Sequence, residues 1–297
     1  MSPSTENQGS TGVSPLSVLR IAGGSVEGRA DAVAIEEPLE IQLSYEKRGG
    51  LRVSKSISVT MRTPGCDEEL AAGFLFTEGI LSSRHQIEEI GSVASRPGAP
   101  VNGNTLRVSL RSAVEVDLRT LERHFYTTSS CGVCGKTSLE ALCTTGQIAL
   151  PPDEPLIAPE VIASLPQTLR RAQAVFDQTG GLHAAALFDA AGTLLAVRED
   201  VGRHNAVDKL IGGEFLAGRV PLHRGILLVS GRASFELMQK AVMAGIPVLA
   251  AVGAPSSLAV AVARQFGATL LGFVRDGRFN CYTGVNRIRQ NPSNFPS

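Results

Sequence analysis

The strongest constraint on the fold is a regular alternation that begins at Gly225. Gly225-Ile-Leu-Leu-Val229, Pro247-Val-Leu-Ala-Ala-Val252 and residues 270–274 are short apolar runs without polar interruption. Residues 234–243 and 256–266, which lie between them, carry a helical pattern. A strand with one wet face alternates apolar and polar residues; a strand buried on both faces does not. Three such strands joined by helices predict a mostly parallel sheet covered on both sides. A turn at Asp276-Gly277 and a return through Phe279 to Tyr282 follow the last of them.

Upstream the pattern is looser. Residues 203–216 read as a helix with Ala206, Val207, Leu210 and Ile211 on one face, and 182–187 and 193–197 bracket Asp189-Ala-Ala-Gly192 as a strand pair. A helix is expected over 159–176, broken by the stretch 177–181. The first half is different in kind. Residues 39–45 and 51–61 alternate strictly around Gly49-Gly50, which reads as a hairpin. The turn Thr63-Pro64-Gly65 leads to Asp67, Glu68 and Glu69, acids that favour a helix start. That helix carries Leu70, Gly73, Phe74 and Leu75 and ends near Gly79. Gly73 inside it costs about 1 kcal/mol relative to Ala, which close packing against a neighbour would explain. Residues 16–21, 87–93 and 106–110 read as further strands, with a loop over 95–104. The expected organisation is a disordered N-terminus (1–17), a β-rich N-terminal domain (18–126), a linker (127–150) and an α/β domain (151–290) that Pro151-Pro152 and Pro155 set off.

The 297 residues contain 28 Lys plus Arg and 28 Asp plus Glu. A formal charge of zero argues against a general nucleic-acid or membrane-surface binder. No run of 18 apolar residues is present, so no membrane span is expected. The Ser-, Thr- and Gly-rich start is neither a secretory signal nor a basic transit peptide, which points to the cytoplasm. Five cysteines are an odd number in such a context, so thiol chemistry or metal binding fits a close pair better than a disulfide framework does.

That close pair is Ser130-Cys131-Gly132-Val133-Cys134-Gly135-Lys136. Glycines after each thiol allow a tight turn, and Lys136 favours a thiolate nearby. Sulfur transfer needs that thiolate, because it is the nucleophile that attacks a donor's persulfide. Zinc would need two more ligands, and His183 and His204 are single and distant in sequence. A second candidate is the pair of strand-to-helix turns holding Gly231, Arg232 and Ser234, and Gly253 and Ser256. Such turns lie at the carboxyl edge of an α/β sheet, where helix N-termini meet anions; short turns and caps explain either one alone. A third is Glu199-Asp-Val-Gly-Arg-His-Asn-Ala-Val-Asp-Lys209, a dense run of unlike polar groups around His204, to be weighed against an ordinary solvated helix face. A fourth is the segment Phe273, Val274, Arg275, Asp276, Gly277 and Arg278, whose arginines either hold phosphates or decorate a hairpin tip.

Taken together these residues resemble the FdhD family of formate dehydrogenase accessory sulfurtransferases. The resemblance rests on Thr63 to Gly79, Ser130 to Gly135, Thr179 to His183, Glu199 to Lys209, Ser230 to Glu236 and Ala244 to Val248 in that order. It covers about residues 35–283 and implies a sulfur carrier that accepts persulfide sulfur from a cysteine desulfurase. The sulfur would pass to the molybdenum (or tungsten) bis-molybdopterin guanine dinucleotide cofactor for formate dehydrogenase, at a site that a GDP-like nucleotide also fits. Carried onto this chain, Cys131 is the persulfide carrier, Cys134 its helper, and residues 273–278 part of the cofactor-binding region. The resemblance further implies a homodimer and a C-terminal cytidine-deaminase-like α/β/α sheet. The deaminase zinc signature is missing, since Thr127 to Ser130 precede Cys131. Two other readings stand beside it: a nucleotide-modifying hydrolase using His204 and Glu199, and a zinc-stabilised binding module with Cys131 and Cys134 as ligands.

Overall fold

Alternating side chains in the first half and unbroken apolar runs in the second build three sheets. The structure is a computed structural model that describes residues 12–47, 49–95, 101, 103–112, 114–116 and 149–290. Strands β1 (Val13–Ala22) and β2 (Ser25–Ala34) form a two-stranded antiparallel ribbon. It is closed by Gly23 and Gly24, both at positive φ, as a tight hairpin turn requires. Residues 13–17, expected to be disordered, therefore lie in a strand, and the short strand expected over 16–21 is the middle of a longer one. The reason is pairing: β2 is rich in Ala, Gly and charge and gives a weak strand signal, yet it matches β1 along its whole length.

Strands β3 (Glu37–Glu46), β4 (Arg52–Arg62), β5 (Ile87–Ser92) and β6 (Thr105–Leu110) make a sheet of order β4-β3-β6-β5, with β3 and β6 parallel. Their alternation puts Leu39, Ile41, Leu43, Leu106, Val108 and Leu110 on one buried face. Helix α1 (Asp67–Thr77) covers it with Leu70, Leu75 and Phe76. Burial of each such side chain stabilises by roughly 1.5–3 kcal/mol.

The third sheet has six strands: β7 (His183–Phe188), β8 (Leu194–Asp200), β9 (Ile226–Val229), β10 (Val248–Ala251), β11 (Thr269–Arg275) and β12 (Arg278–Thr283). Their order is β12-β11-β10-β9-β7-β8. Only β9, β10 and β11 run parallel; the pairs β7/β8, β7/β9 and β11/β12 are antiparallel. The sheet is thus mixed rather than mostly parallel, because the short turns at 189–192 and 276–277 can join only antiparallel strands.

Helix α2 (Pro159–Ala172) packs Ile162, Leu165 and Leu169 against Ala184, Ala186, Phe188, Leu228 and Val248 on one face of that sheet. The opposite face, with Ala185, Leu187, Leu227, Val229 and Leu249, is covered by α4 (Arg203–Leu216), α5 (Phe235–Met243) and α6 (Ser257–Gln265). Between α2 and β7 the short α3 (Ala174–Thr179) replaces the end of the single helix expected over 159–176. Its start is set from β8, where the Glu199 carboxylate accepts hydrogen bonds from the N–H groups of Val175 and Phe176 at 3.0 and 2.9 Å. A donor pair captured this way begins a new helix.

The apolar cluster runs without a break from the four-stranded sheet through α1 and α4 to the six-stranded one. The β-rich and α/β halves are therefore held by a shared core. At the α1–α4 crossing two glycines meet. A Cβ on Gly73 would lie 1.9 Å from the Asp208 carbonyl oxygen, and one on Gly212 would lie 1.8 Å from that of Glu69. Backbone touches backbone there, which accounts for Gly73 inside α1.

Candidate functional site

Strands β9, β10 and β11 end at one edge of the six-stranded sheet. Because β7 and β8 run antiparallel, His183 at the start of β7 and its partner Asp200 at the end of β8 lie there too. The turns at this edge are stitched together. Gly253 donates from its N–H to the Gly231 carbonyl at 2.9 Å, and Phe273 donates to the Gly253 carbonyl at 3.0 Å. The fold thus brings Gly231, Arg232, Ser234, Gly253, Ser256 and residues 273–278 into one row, from stretches that are far apart in sequence. Gly253 has both backbone groups committed, and a Cβ there would lie 3.0 Å from the Gly231 oxygen and 3.1 Å from Arg232 Cγ. Its part is to let the turns stack, not to offer an N–H to a ligand.

The two turns, alike in sequence, differ in structure. Ser256 caps α6, its hydroxyl accepting from Ala259 N–H at 3.2 Å. Ser234 makes no cap bond to α5; its hydroxyl lies 3.5 Å from His204 Nε2. Glu236 Oε2 stands 3.8 Å from the same nitrogen. The facing His204 imidazole, helped by Ser234 and by Glu236's own N–H, overcomes partial burial and brings the Glu236 carboxyl down to about 2. A carboxyl depressed on folding contributes stability that is present above about 4.5 and lost as pH falls through about 2. Replacement His204→Ala should return the Glu236 titration toward its ordinary range, read by NMR of the side-chain carboxyl; an unmoved titration would contradict the pairing. At His183, burial, then Arg203 and His204, push the imidazole below its usual value, so it is neutral at neutral pH.

The fourth segment holds backbone strain. Phe273 has φ of 53°, in the left-handed region that a bulky aromatic rarely enters. It sits where the β11–β12 register slips between Gly272 and Arg275. Asp276 and Gly277 both have positive φ and form the two-residue hairpin turn. Arg275 and Arg278 face each other across it, exposed, and the Arg275 guanidinium lies 5.7 Å from the Phe273 ring centroid. Like charges directly opposite destabilise a hairpin, and among the described residues neither has a carboxylate within ion-pair distance. The same holds for Arg232. The Nε of Arg203 is buried without a hydrogen-bond partner among the described residues.

Most of the polar run 199–209 has a structural job. Asp200, fully buried, accepts from Gly202 N–H at 2.8 Å and from Asn205 Nδ2 at 3.1 Å, and pairs with Lys209 Nζ at 2.7 Å. Lys209 also donates to the Thr63 carbonyl at 2.7 Å. Asp208 pairs with Lys240 at 2.9 Å. Glu199 caps α3, and the carboxylate facing His204 is Glu236, which sequence reasoning did not single out. The signal available was its spacing, two residues after Ser234 at a helix start. A cleft of about 460 Å³ opens beside this group, between the four-stranded sheet and α1, α4 and α5; Thr60, Phe74, Gly202, His204, Glu236 and Lys240 line it.

Cys131 and Cys134, the expected carrier pair, lie outside the described residues. The described cysteines, Cys66 and Cys281, are free thiols. Burial pushes both up, at Cys66 with the help of Glu69, so neither is an activated nucleophile. Among the described residues no group of three or more His, Cys, Asp or Glu is placed to hold a metal ion, and no helix is long and apolar enough to cross a membrane.

Comparison with known proteins matches residues 34–289 to the model of the FdhD/NarQ family. The chain belongs to that family. The FdhD/NarQ relatives include the sulfur carrier protein FdhD of Streptomyces avermitilis, 55% identical over 276 residues, which span 91% of this chain and 94% of the relative. The protein of that name in Mycobacterium tuberculosis is 48% identical over 275 residues, 91% of this chain and 96% of the relative. A crystal structure from Desulfotalea psychrophila, described as a candidate formate dehydrogenase accessory protein, superposes with a TM-score of 0.70 at 26% identity, over 94% of this chain and all of that one.

Proposed function

We propose that this FdhD/NarQ chain is a sulfur carrier for formate dehydrogenase: it takes sulfur from a cysteine desulfurase as a persulfide on Cys131 and delivers it to the bis-molybdopterin guanine dinucleotide cofactor. The observation that carries the reading is the stacked sheet edge, whose turns carry Arg232, Arg275 and Arg278, exposed and without carboxylate partners among the described residues. Guanidinium groups in that state suit phosphates, and the cofactor carries a diphosphate at each guanine end, so the residues present fit it as cargo. A GDP-like nucleotide suits the same edge. The names of the relatives and the family match support the carrier role.

The loading step is thiol exchange. The Cys131 thiolate attacks the outer sulfur of the donor persulfide, a new S–S bond forms at Cys131, and the donor leaves as its own thiolate. For release, the Cys134 thiolate attacks Cys131 Sγ, which closes a Cys131–Cys134 disulfide and expels the outer sulfur as sulfide. The two electrons come from the thiol pair, and a dithiol reductant resets it.

The test is transfer of radiolabelled sulfur from cysteine through a desulfurase, followed on non-reducing gels. Wild type and Cys134→Ala should carry label that dithiothreitol removes, and Cys131→Ala should carry none. The double variant Arg275→Glu/Arg278→Glu should load normally yet bind GDP at least about tenfold more weakly by calorimetry, since a hydrogen bond to a charged group contributes about 1.5–3 kcal/mol. An unlabelled wild type with an active desulfurase would sink the carrier reading.

A further inference from the structure

Beside the row of turns stands a group that the carrier reading leaves unused. His183 opens β7 at the same edge of the sheet, and its imidazole lies against the turn after β9: a Cβ on Gly231 would be 3.4 Å from His183 Nδ1. The elements packed around the ring bring charge of both signs. Directly across, β8 brings Asp200, which is spent on Lys209, Gly202 and Asn205. The start of α4 brings Arg203 and His204, and the turn after β9 brings Arg232 next to Gly231. From α5 comes Glu236, which is occupied with His204. The residues just before β7, Gly180, Gly181 and Leu182, carry no charge. Among the described residues Arg203 and Arg232 have no carboxylate within ion-pair distance, His183 makes no side-chain hydrogen bond, and the Nε of Arg203 is buried without a partner. Burial first, and then this unanswered positive charge, holds the half-buried His183 ring neutral.

We infer that His183 is a ligand for the diphosphate of a bound nucleotide and that it takes up a proton when the diphosphate arrives. The inference rests on the nucleotide reading of this edge. The argument is one of charge. What favours the neutral ring is burial beside cations that no carboxylate answers. A diphosphate set against Arg203 and Arg232 cancels that field and adds a charged acceptor for the ring N–H, so the imidazolium becomes the favoured form. An opposite charge within about 4–6 Å moves a titration by about one to three pH units. Between the free and the bound titration the complex holds more protons than protein and ligand apart. Affinity therefore rises as pH falls through that window, and it is level above and below it. His204 already faces a carboxylate, Glu236, at 3.8 Å, so the counter-charge that the ligand brings is one that His183 lacks.

The test is calorimetry of GDP-mannose binding to the full chain, in pairs of buffers of different ionisation enthalpy, from about pH 5 to about pH 8.5. This diester has no phosphate that titrates near neutrality, so a proton taken up goes to the protein. The wild type should take up about 0.5 to 0.9 proton per ligand at the centre of the window, and should bind at least about tenfold more tightly at its acid end than at its alkaline end. His183→Asn, which cannot titrate, should lose the uptake and bind at least about tenfold more weakly than wild type at the acid end, while matching it at the alkaline end. His85→Asn, on the exposed turn before β5, should behave like wild type. NMR of the imidazoles in the wild type, with and without ligand, identifies the ring: the His183 titration should move up on binding. Binding without proton uptake, or uptake that moves only His204, overturns the inference and leaves the nucleotide edge standing. Failure of both GDP-mannose and GDP to bind at any pH removes the nucleotide edge, and the inference with it.

Discussion

Replacement Gly212→Ala should destabilise the protein by about 3 kcal/mol or more, seen as a large drop in the urea midpoint with little change in slope. Two effects oppose each other. Alanine is the better helix former, by about 1 kcal/mol in an exposed helix interior. Against that, its Cβ would stand 1.8 Å from the Glu69 carbonyl oxygen and 2.7 Å from the Gly73 nitrogen. Those are backbone atoms, so no side chain can swing away. The α1–α4 crossing must widen, and with it the core shared by both sheets. The clash therefore outweighs the helix propensity. Gly213 is the control, because the same substitution one position along meets only the Glu69 carboxylate at 3.2 Å and the Arg198 guanidinium at 3.4 Å. These are the ends of flexible side chains, so Gly213→Ala should be near neutral. Equal effects at the two positions would mean that the crossing is not the constraint.

Lys240→Met should cost a similar amount, about 3–5 kcal/mol, for an electrostatic reason. Lys240 Nζ lies 2.9 Å from Asp208 and 3.2 Å from Glu78, and Thr77 Oγ1 accepts from it at 2.9 Å. Lys240 and Asp208 are 4% and 2% exposed. Burial alone would push the Lys240 amine down; the Asp208 and Glu78 carboxylates overcome it and hold the amine above its usual value. Removing the cation leaves Asp208 buried without its counter-charge. Substituting both, Asp208→Leu with Lys240→Met, should recover at least half of the loss, since a buried pair is often replaceable by apolar residues at little cost. The loss should also depend on pH. Burial pushes the Asp208 carboxyl up, and a carboxyl raised on folding favours the folded state below its unfolded pKa and ceases to as pH rises. The single variant should thus be least stable near neutral pH and recover toward acid. A pH-independent deficit in chemical denaturation would show that Asp208 carries no charge there.

Both residues line the inner wall of the cleft, where they pair with each other and tie α5 to α1 and α4. Asp208 and Lys209 read in sequence as part of one polar run with His204. In the structure that run splits: Asp200, Asn205, Asp208 and Lys209 turn inward to hold α1 and the Thr63 turn, and His204 stays at the edge beside Ser234 and Glu236. Nothing in the spacing separates them, since the division depends on which neighbours α4 packs against.

Much was legible before any coordinates. The strands β9, β10 and β11 and helices α4, α5 and α6 follow from uninterrupted apolar runs and helical spacing, because burial on both faces of a sheet leaves that mark locally. The acids that open α1 and the turn at Asp276-Gly277 are equally local. The family, too, was readable from ordered motifs, and the match over residues 34–289 bears it out. Pairing is where local signals stopped. β2 has a weak strand composition and forms because β1 lies beside it. The direction of β7 relative to β9 and the shared core likewise depend on chain brought from elsewhere. The sequence by itself determined most of the strands and helices, β2 and the separate α3 excepted, and which family the chain joins, since these depend on neighbours along the chain. Only the tertiary structure decided that Ser256 is a cap and Ser234 is not, that Glu199 serves α3 while Glu236 faces His204, and that Gly253 is spent on stacking turns. Apart from the local Ser256 cap, those roles are set by contacts of about 3–4 Å between residues far apart in sequence, which spacing along the chain only hints at.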